Sequence, residues 1–398
     1  MGKPIRLDPD DLKARVSAEV EGLRAELIGL SGTLFANPET AFRETTACQL
    51  LSDWLKSQGF AVDVGIAGLP TAFRAMVSAP SPRPAIAFLA EYDALPDLGH
   101  ACGHNIIAAS SVGAAAAVSR VLPGLRGTIL ALGTPAEEHG NGKITMIEQG
   151  IFAGVDAAMI VHPSVHNCVQ TYALASEILD VEFFGQAAHA AAWPEKGINA
   201  LDAMVLSYVN ISALRQQLRS DARVHGIITH GGEASNIIPA HTSGKFQVRA
   251  KDDAYLDELL QRVINCFRAG AQATGARLEY RSREKRCSAL RTNVAMASAF
   301  AANLQRLGLT VEPHDPSWGF GSTDVGNVSQ VVPTVHPFIA IADESVALHS
   351  PEFAQAADSE RGRNGLIIAA KALAMTAIDL LVNDALLANV KKEFADRD

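Results

Sequence analysis

The chain has 398 residues, above the ~250–300 at which single cores stop growing, so two domains are expected. At 48% hydrophobic and 19% charged residues it has the balance of a globular protein with ample apolar mass for a core. A formal net charge of −9 without a long basic run argues against nucleic acid and anionic membrane surfaces as partners. Five cysteines (Cys48, Cys102, Cys168, Cys266 and Cys287) lack paired spacing, which suits a reducing compartment. Met1–Asp10 is polar, without a signal-peptide core, and no apolar run approaches the ~20 residues that span a bilayer. A cytoplasmic protein is expected.

Apolar residues at helical spacing (Leu12, Val16, Val20, Leu23, Leu27, Leu30, Leu34) predict a helix over 11–36, ended by Asn37-Pro38-Glu39. A second helix is predicted from Thr45 to Gln58, stopped by Gly59. Short apolar strands separated by helices follow. Ala85–Ala90 ends in Glu91-Tyr92-Asp93, Thr128–Gly133 in Thr134-Pro135-Ala136-Glu137-Glu138-His139, and Ala157–Val161 in His162-Pro163. Continuous apolar runs alternating with helices predict a buried, largely parallel sheet. The ligand crevice of such a sheet lies beyond the carboxyl ends of its strands, so the titratable groups ending each run should converge.

From about Glu177 the texture changes. Strands are predicted at Ile178–Phe184, Val224–His230, Gly244–Ala250 and Arg277–Arg281, with helices at Gly197–Arg219 and Asp252–Thr274. Two strand–helix–strand passages of this size make an inserted α+β domain, and the charged run Arg281–Arg286 is read as its return linker. Beyond it come a helix at Ala295–Leu307, a strand at Val335–Ile341 and a closing helix at Gly365–Leu386. The expected division is 1–176 and 287–398 for the main domain and 177–286 for the insert.

Chemistry concentrates at His100-Ala101-Cys102-Gly103-His104-Asn105, which opens a helix of small and apolar residues, 106–117. Unpaired N–H groups and partial positive charge at a helix start favour the thiolate of Cys102, and Gly103 lets sulfur and imidazole face one point. Borderline-soft divalent metals are held by sulfur, imidazole nitrogen and carboxylate oxygen, and strand ends and loops offer Cys102, His104, Glu137, Glu138, His162 and His349. Adjacent carboxylates allow one to bind metal while its neighbour holds a proton. The bland alternatives are a buried packing cysteine and a solvated acidic loop. His139 reads as a loop residue rather than a ligand. His166, His225, His230, His241 and His314 lack ligand-like partners at useful spacing and read as surface or hydrogen-bonded residues. His336 could approach the pocket, but core packing is favoured.

His100–Asn105, Pro135-Ala136-Glu137-Glu138, Val161-His162-Pro163 and Leu348-His349-Ser350-Pro351 together resemble the dinuclear metallo-aminoacylase/carboxypeptidase G superfamily. The likeness is to its amidohydrolase branch with a Cys-Gly-His motif, which includes hippurate, indole-acetyl-amino-acid and aminobenzoyl-glutamate hydrolases and β-alanyl-lysine-type dipeptidases. Tyr92-Asp93-Ala94-Leu95-Pro96, Phe184–Ala190 and Gly231–Pro239 are similar to further family segments. Gly321–Ser329 leans towards the dipeptidase and aminobenzoyl-glutamate subgroup. The motifs keep the family's order over nearly the whole chain.

The resemblance implies an α/β fold: a three-layer α/β/α metal-binding catalytic domain with an inserted α+β, ferredoxin-like dimerisation and lid domain. It implies two divalent metal ions per subunit (Zn²⁺, Mn²⁺ or Co²⁺) held by Cys102, His104, Glu138, His162 and His349. Glu137 would be the general base and Asp93 the group orienting a ligand. His189 would reach in from a partner subunit to stabilise the oxyanion, with Asn236, Arg249 and Thr323 holding substrate. Two departures stand out. Glu91-Tyr92-Asp93 lacks the leading His of the common His-x-Asp loop, and Ala240 replaces the acidic residue that often follows Asn-x-Ile-Pro.

The expected activity is metal-dependent cleavage of the amide bond of a small N-acyl amino acid or dipeptide-like substrate by a homodimer. The rivals are a metal-independent cysteine amidase using Cys102 and a non-catalytic protein that binds a small acid.

Overall fold

The computed structural model describes residues 8–315, 318 and 321–396, so most of Met1–Asp10 lies outside the described residues. Its strands are, in chain order, β1 (Ala61–Val64), β2 (Phe73–Ser78), β3 (Ala85–Ala90), β4 (Thr128–Gly133), β5 (Ala157–Met159) and β6 (His162–Ser164). There follow β7 (Ala175–Phe184), β8 (Arg223–His230), β9 (His241–Ala250), β10 (Arg277–Ser282), β11 (Thr334–Val335) and β12 (Phe338–Ala340). The chain folds into two compact units. One comprises Met1–Tyr172, Leu290–Gly319 and Asn327–Asp398, the other Ala173–Ala289 and Phe320–Gly326. The second unit thus begins and ends a few residues outside 177–286, and it takes Phe320–Gly326 from the C-terminal run.

The first unit is built on a sheet of order β1-β2-β4-β3-β5-β11. β4, β3, β5 and β11 run parallel, while β1 and β2 are antiparallel additions at one edge. Every residue of β3 and β4 is buried, so both faces of the sheet are covered, which explains their uninterrupted apolar sequences. The helix His104–Val121 packs on β3 and against the helices Pro9–Gly22, Arg24–Ala36 and Glu360–Val382. Its alanines and serines allow that crowding.

Several elements are shorter or more divided than their patterns suggest. The predicted helix over 11–36 breaks at Leu23 into two. The run 335–341 splits at His336-Pro337, so that β11 joins the main sheet while β12 pairs with β6 in a separate two-stranded sheet. The closing helix starts at Glu360 and stops at Val382, where extended Asn383 caps a further helix, Asp384–Ala395. His104–Gly124 and Glu360–Val382 are in fact long and apolar enough to cross a bilayer by length and composition, contrary to expectation. Most of each apolar window is buried inside the protein, where the core has its own use for such helices.

The second unit is a four-stranded antiparallel sheet of order β10-β7-β9-β8 with the helices Ala200–Leu214 and Asp253–Thr274 packed on it. Strand order and the strand–helix–strand repeat make it ferredoxin-like. Alternation along β7 buries Leu179, Val181 and Phe183 towards Val248, Leu259 and Phe267 in one core. The first helix begins at Ala200, later than expected, because the Asn199 side chain accepts from the N–H groups of Leu201 and Asp202 and caps it there.

Candidate metal centre

Register places the chemistry. Ala90 pairs with Gly133 across β3 and β4, so residues 91–93 and 134–138 leave the sheet side by side. Glu138 N–H then donates to Asp93 Oδ2 at 2.9 Å. A fully buried carboxylate from another segment, Glu44, accepts from Ala136 N–H at 2.9 Å, Phe42 N–H at 3.0 Å and Thr71 Oγ1 at 2.9 Å. Ala136 holds a positive φ of 62°, a strained conformation that this anchor helps to fix.

The Cys-Gly-His loop meets the next strand end. Gly103 has φ 74°, and a Cβ there would lie 2.7 Å from Pro163 Cγ, so only glycine lets the loop lie against His162-Pro163. His349 N–H donates to Ala101 O at 3.2 Å and draws the last motif to the same loop.

Possible ligand atoms of Cys102, His104 and His162 lie within 4.8 Å of one another, as do those of Cys102, Glu138 and His349 and those of His104, Glu137 and Glu138. Five expected ligands and the expected base therefore meet in the first unit, and two of the three sets share Cys102. His104 Nδ1 donates to Asp93, at 2.8 Å from its carbonyl and 3.1 Å from Oδ1, which turns Nε2 towards the cluster. His162 Nδ1 donates to Pro163 O at 2.6 Å and likewise leaves its Nε2 facing inward. Among the described residues, His104 Nε2 and Glu138 Oε1 are buried with no hydrogen-bond partner beyond the neighbouring Cys102 thiol. Orphaned nitrogen and oxygen beside a thiol fit a borderline-soft divalent cation.

Electrostatics point the same way. Burial and the neighbouring His104 charge lower the His162 pKa, which keeps its imidazole neutral. Burial opposes the charge on Asp93, yet the bond and charge of His104, the Glu138 N–H and the Lys143 charge together outweigh this and hold the carboxyl below its ordinary value. Burial disfavours a charged His104, but the bond and charge of Asp93 with the Cys102 contact and the Glu91 charge together raise it, so metal loading displaces a proton and weakens in acid. Cys102 corrects the sequence reading. Burial, reinforced by the Glu138 carboxylate, pushes its thiol well above the ordinary range, so the helix start alone does not produce a thiolate. A cation is what would.

Three further residues pack around this cluster, of which Lys143 escaped sequence reasoning altogether. Glu91 and Lys143 form a fully buried ion pair at 2.7 Å, with Glu91 Oε2 3.7 Å from His104 Nε2. His336, read as core packing, sets its ring edge-on to His162 at 5.6 Å. Burial and His162 push its pKa down to about 3. Glu91 was visible as a strand-end acid, but nothing in the sequence pairs it with Lys143.

His189, Asn236, Arg249 and Thr323 lie in the second unit. His189 is exposed, with Nδ1 accepting from Ala191 and Ala192 N–H groups, and its strand segment bridges to Ile237 beside Asn236. Arg249 is half-buried and donates to Ser322 Oγ at 3.1 Å, next to Thr323. His166 is hydrogen-bonded, its Nδ1 lying 3.1 Å from Glu312 and 4.0 Å from Glu344, partners that local sequence spacing did not show.

Residues 87–371 match peptidase family M20/M25/M40. A Xaa-Arg dipeptidase from Mus musculus is 40% identical over 400 residues, covering 96% of this chain and 92% of the relative. The chain belongs to peptidase family M20/M25/M40. It is accordingly a metal-dependent hydrolase of amide bonds. A p-aminobenzoyl-glutamate hydrolase subunit from Escherichia coli (strain K12) is 28% identical, over 94% of this chain and 93% of that one. Among solved structures, a dinuclear metal-binding M20 peptidase from Bacillus subtilis has the same fold at TM-score 0.71 and 20% identity, covering 91% of this chain and 99% of the other.

Proposed function

We propose that this protein is a dinuclear metallo-dipeptidase or aminoacylase, with Cys102, His104, Glu138, His162 and His349 as its ligands. The observation that carries the reading is the convergence of those five side chains in overlapping sets beside Glu137. The name of the mouse relative, a Xaa-Arg dipeptidase, narrows the substrate to a dipeptide with a cationic C-terminal residue. Zn²⁺, Mn²⁺ and Co²⁺ all suit the mixed sulfur, nitrogen and oxygen donors.

Bound divalent cations would supply Lewis acidity to the scissile carbonyl and lower the pKa of water. The chain's part follows from its geometry. Asp93 fixes the tautomer and orientation of His104. Glu138 is held by its own backbone bond to Asp93, which leaves Glu137 to take a proton from the attacking water and return it to the departing nitrogen. His189 is assigned to the developing oxyanion, and Asn236, Arg249 and Thr323 to the substrate's carboxylate, Arg249 by its planar fork.

We assign the second unit to self-association. Val209 (58% exposed) on the helix Ala200–Leu214 and Ile227 (61%) on edge strand β8 support a homodimer. None of the five cysteines is in a disulfide, which favours the cytoplasm.

The test is amine release from a panel of dipeptides, N-acyl amino acids and aminobenzoyl-glutamate, with Zn²⁺, Mn²⁺ or Co²⁺ and after chelator stripping. Hydrolysis lost on stripping and restored by metal is expected. Metal-independent hydrolysis would move the chemistry to Cys102.

A further inference from the structure

We infer that the cavity between Glu312 and Trp318 in the first unit receives the cationic side chain of the substrate, a guanidinium or ammonium group. This rests on the dipeptidase reading above and adds the place where charge is recognised. The cavity is a solvent-open depression of about 430 Å³ lined by Glu312, Pro313, His314, Asp315 and Trp318, with Pro313 and Asp315 exposed. Two carboxylates and an indole line it, and no lysine or arginine is among the described residues that do. That composition attracts a cation and repels an anion.

Packing fixes the indole. Trp318 stacks on His166 with ring centroids 3.8 Å apart and planes 9° from parallel, and its backbone N–H donates to Asp315 O at 3.1 Å. His166 in turn holds Glu312 at 3.1 Å, with Glu344 at 4.0 Å. A carboxylate and an aromatic ring are thus tied to one buried imidazole. A planar guanidinium can lie against the ring and donate to the carboxylate, gaining from both.

The backbone brings this pocket close to the metal cluster. His166 follows His162 by four residues, which span at most about 14 Å even fully extended. A long side chain leaving the scissile bond covers much of that distance, and a short one does not. Arginine and lysine satisfy both the length and the charge.

The experiment compares kcat/KM of the metal-loaded protein on an Xaa-Arg dipeptide and its Xaa-citrulline counterpart, a neutral analogue of nearly the same shape. The measurements are repeated with Glu312→Gln and Trp318→Leu. The wild type is expected to favour arginine by about tenfold or more, and each variant to erase most of that ratio. Equal rates on arginine and citrulline, with metal-dependent hydrolysis intact, overturn the pocket and leave the dipeptidase reading standing. An arginine preference that survives both substitutions places the cation elsewhere and overturns it too. So does an extra equivalent of bound Mn²⁺ or Zn²⁺ that Glu312→Gln removes, since the cluster would then hold metal. If no amide is cleaved at all, the functional reading fails, and arginine titrated against tryptophan emission decides the pocket alone. Quenching by arginine but not citrulline, lost in Trp318→Phe, supports it, and no arginine-specific change overturns it.

Discussion

The two sheets of this molecule face different surroundings. In the first unit β3 and β4 are buried along their whole length, and their carboxyl ends deliver Glu91, Asp93, Glu137 and Glu138 into a nearly dry cluster. In the second unit β8 is an edge strand with one buried residue, Val224, and Ile227 and Ile228 exposed. A sheet closed on both faces holds charged groups in fixed positions at low dielectric, where each is strongly coupled to its neighbours. A sheet open at its edge offers surface. Substitutions in the first should therefore act on chemistry and stability together, and those at the open edge of the second on association, away from the substrate-assigned Arg249 on β9.

The largest effect is expected at Glu137. Glu137→Gln keeps size and polarity but cannot accept the proton, so kcat should fall by about 10²–10⁴-fold. Metal content by elemental analysis should not change. Retained turnover would remove Glu137 from the role of base.

Glu44 tests how far burial governs the frame. Burial lifts its carboxyl from 4.5 to about 7, opposed by the N–H and hydroxyl groups it accepts. Between those values the unfolded chain has lost the proton and the folded chain keeps it. Stability therefore falls as pH rises through that window and levels off above it. The loss is on the order of 3 kcal/mol. Relative to Glu44→Gln, which does not titrate there, the wild-type urea midpoint should drop from pH 4.5 to 7.5. Parallel pH profiles would mean the carboxylate is already ionised on its three donors.

Asp93 should act through His104. Asp93→Ala frees the imidazole to turn, and metal affinity should weaken by roughly 10–100-fold in a competitive chelator titration. Unchanged affinity would show that packing alone orients His104.

Sequence reasoning reached different depths in the two units. The frame of the first unit was legible because β3 and β4 are continuous apolar runs, Glu137 and Glu138 follow β4, and Cys102, His104, His162 and His349 sit in short motifs of their own. What stayed hidden depends on pairing between distant segments. Glu44 reaches Ala136 across 92 positions, and Glu91 finds Lys143 only because the helix Gly142–Glu148 packs beside β3's end. His166 looked solitary because Glu312 and Glu344 come from loops far along the chain. Local pattern records periodicity and caps well, and it carries nothing about which buried charges meet.

The smallest effect on chemistry, and the sharpest contrast with the first unit, is expected from the second unit's open surface. Val209 on its helix and Ile227 on β8 are both more than half exposed, a costly way to leave two β-branched apolar side chains. If a second copy covers them, Val209→Asp puts a desolvated carboxylate into that interface and should shift the protein from dimer to monomer in light scattering. Because Val209 contributes nothing to the core of its own unit, the melting temperature of the monomer should move by less than about 2 °C. Metal content, assigned here to first-unit residues alone, should not move at all. Activity separates two further cases. With His189 supplied by the partner, the monomer loses turnover despite full metal; with His189 acting in its own chain, turnover survives dissociation. A variant that stays dimeric would place self-association on another surface.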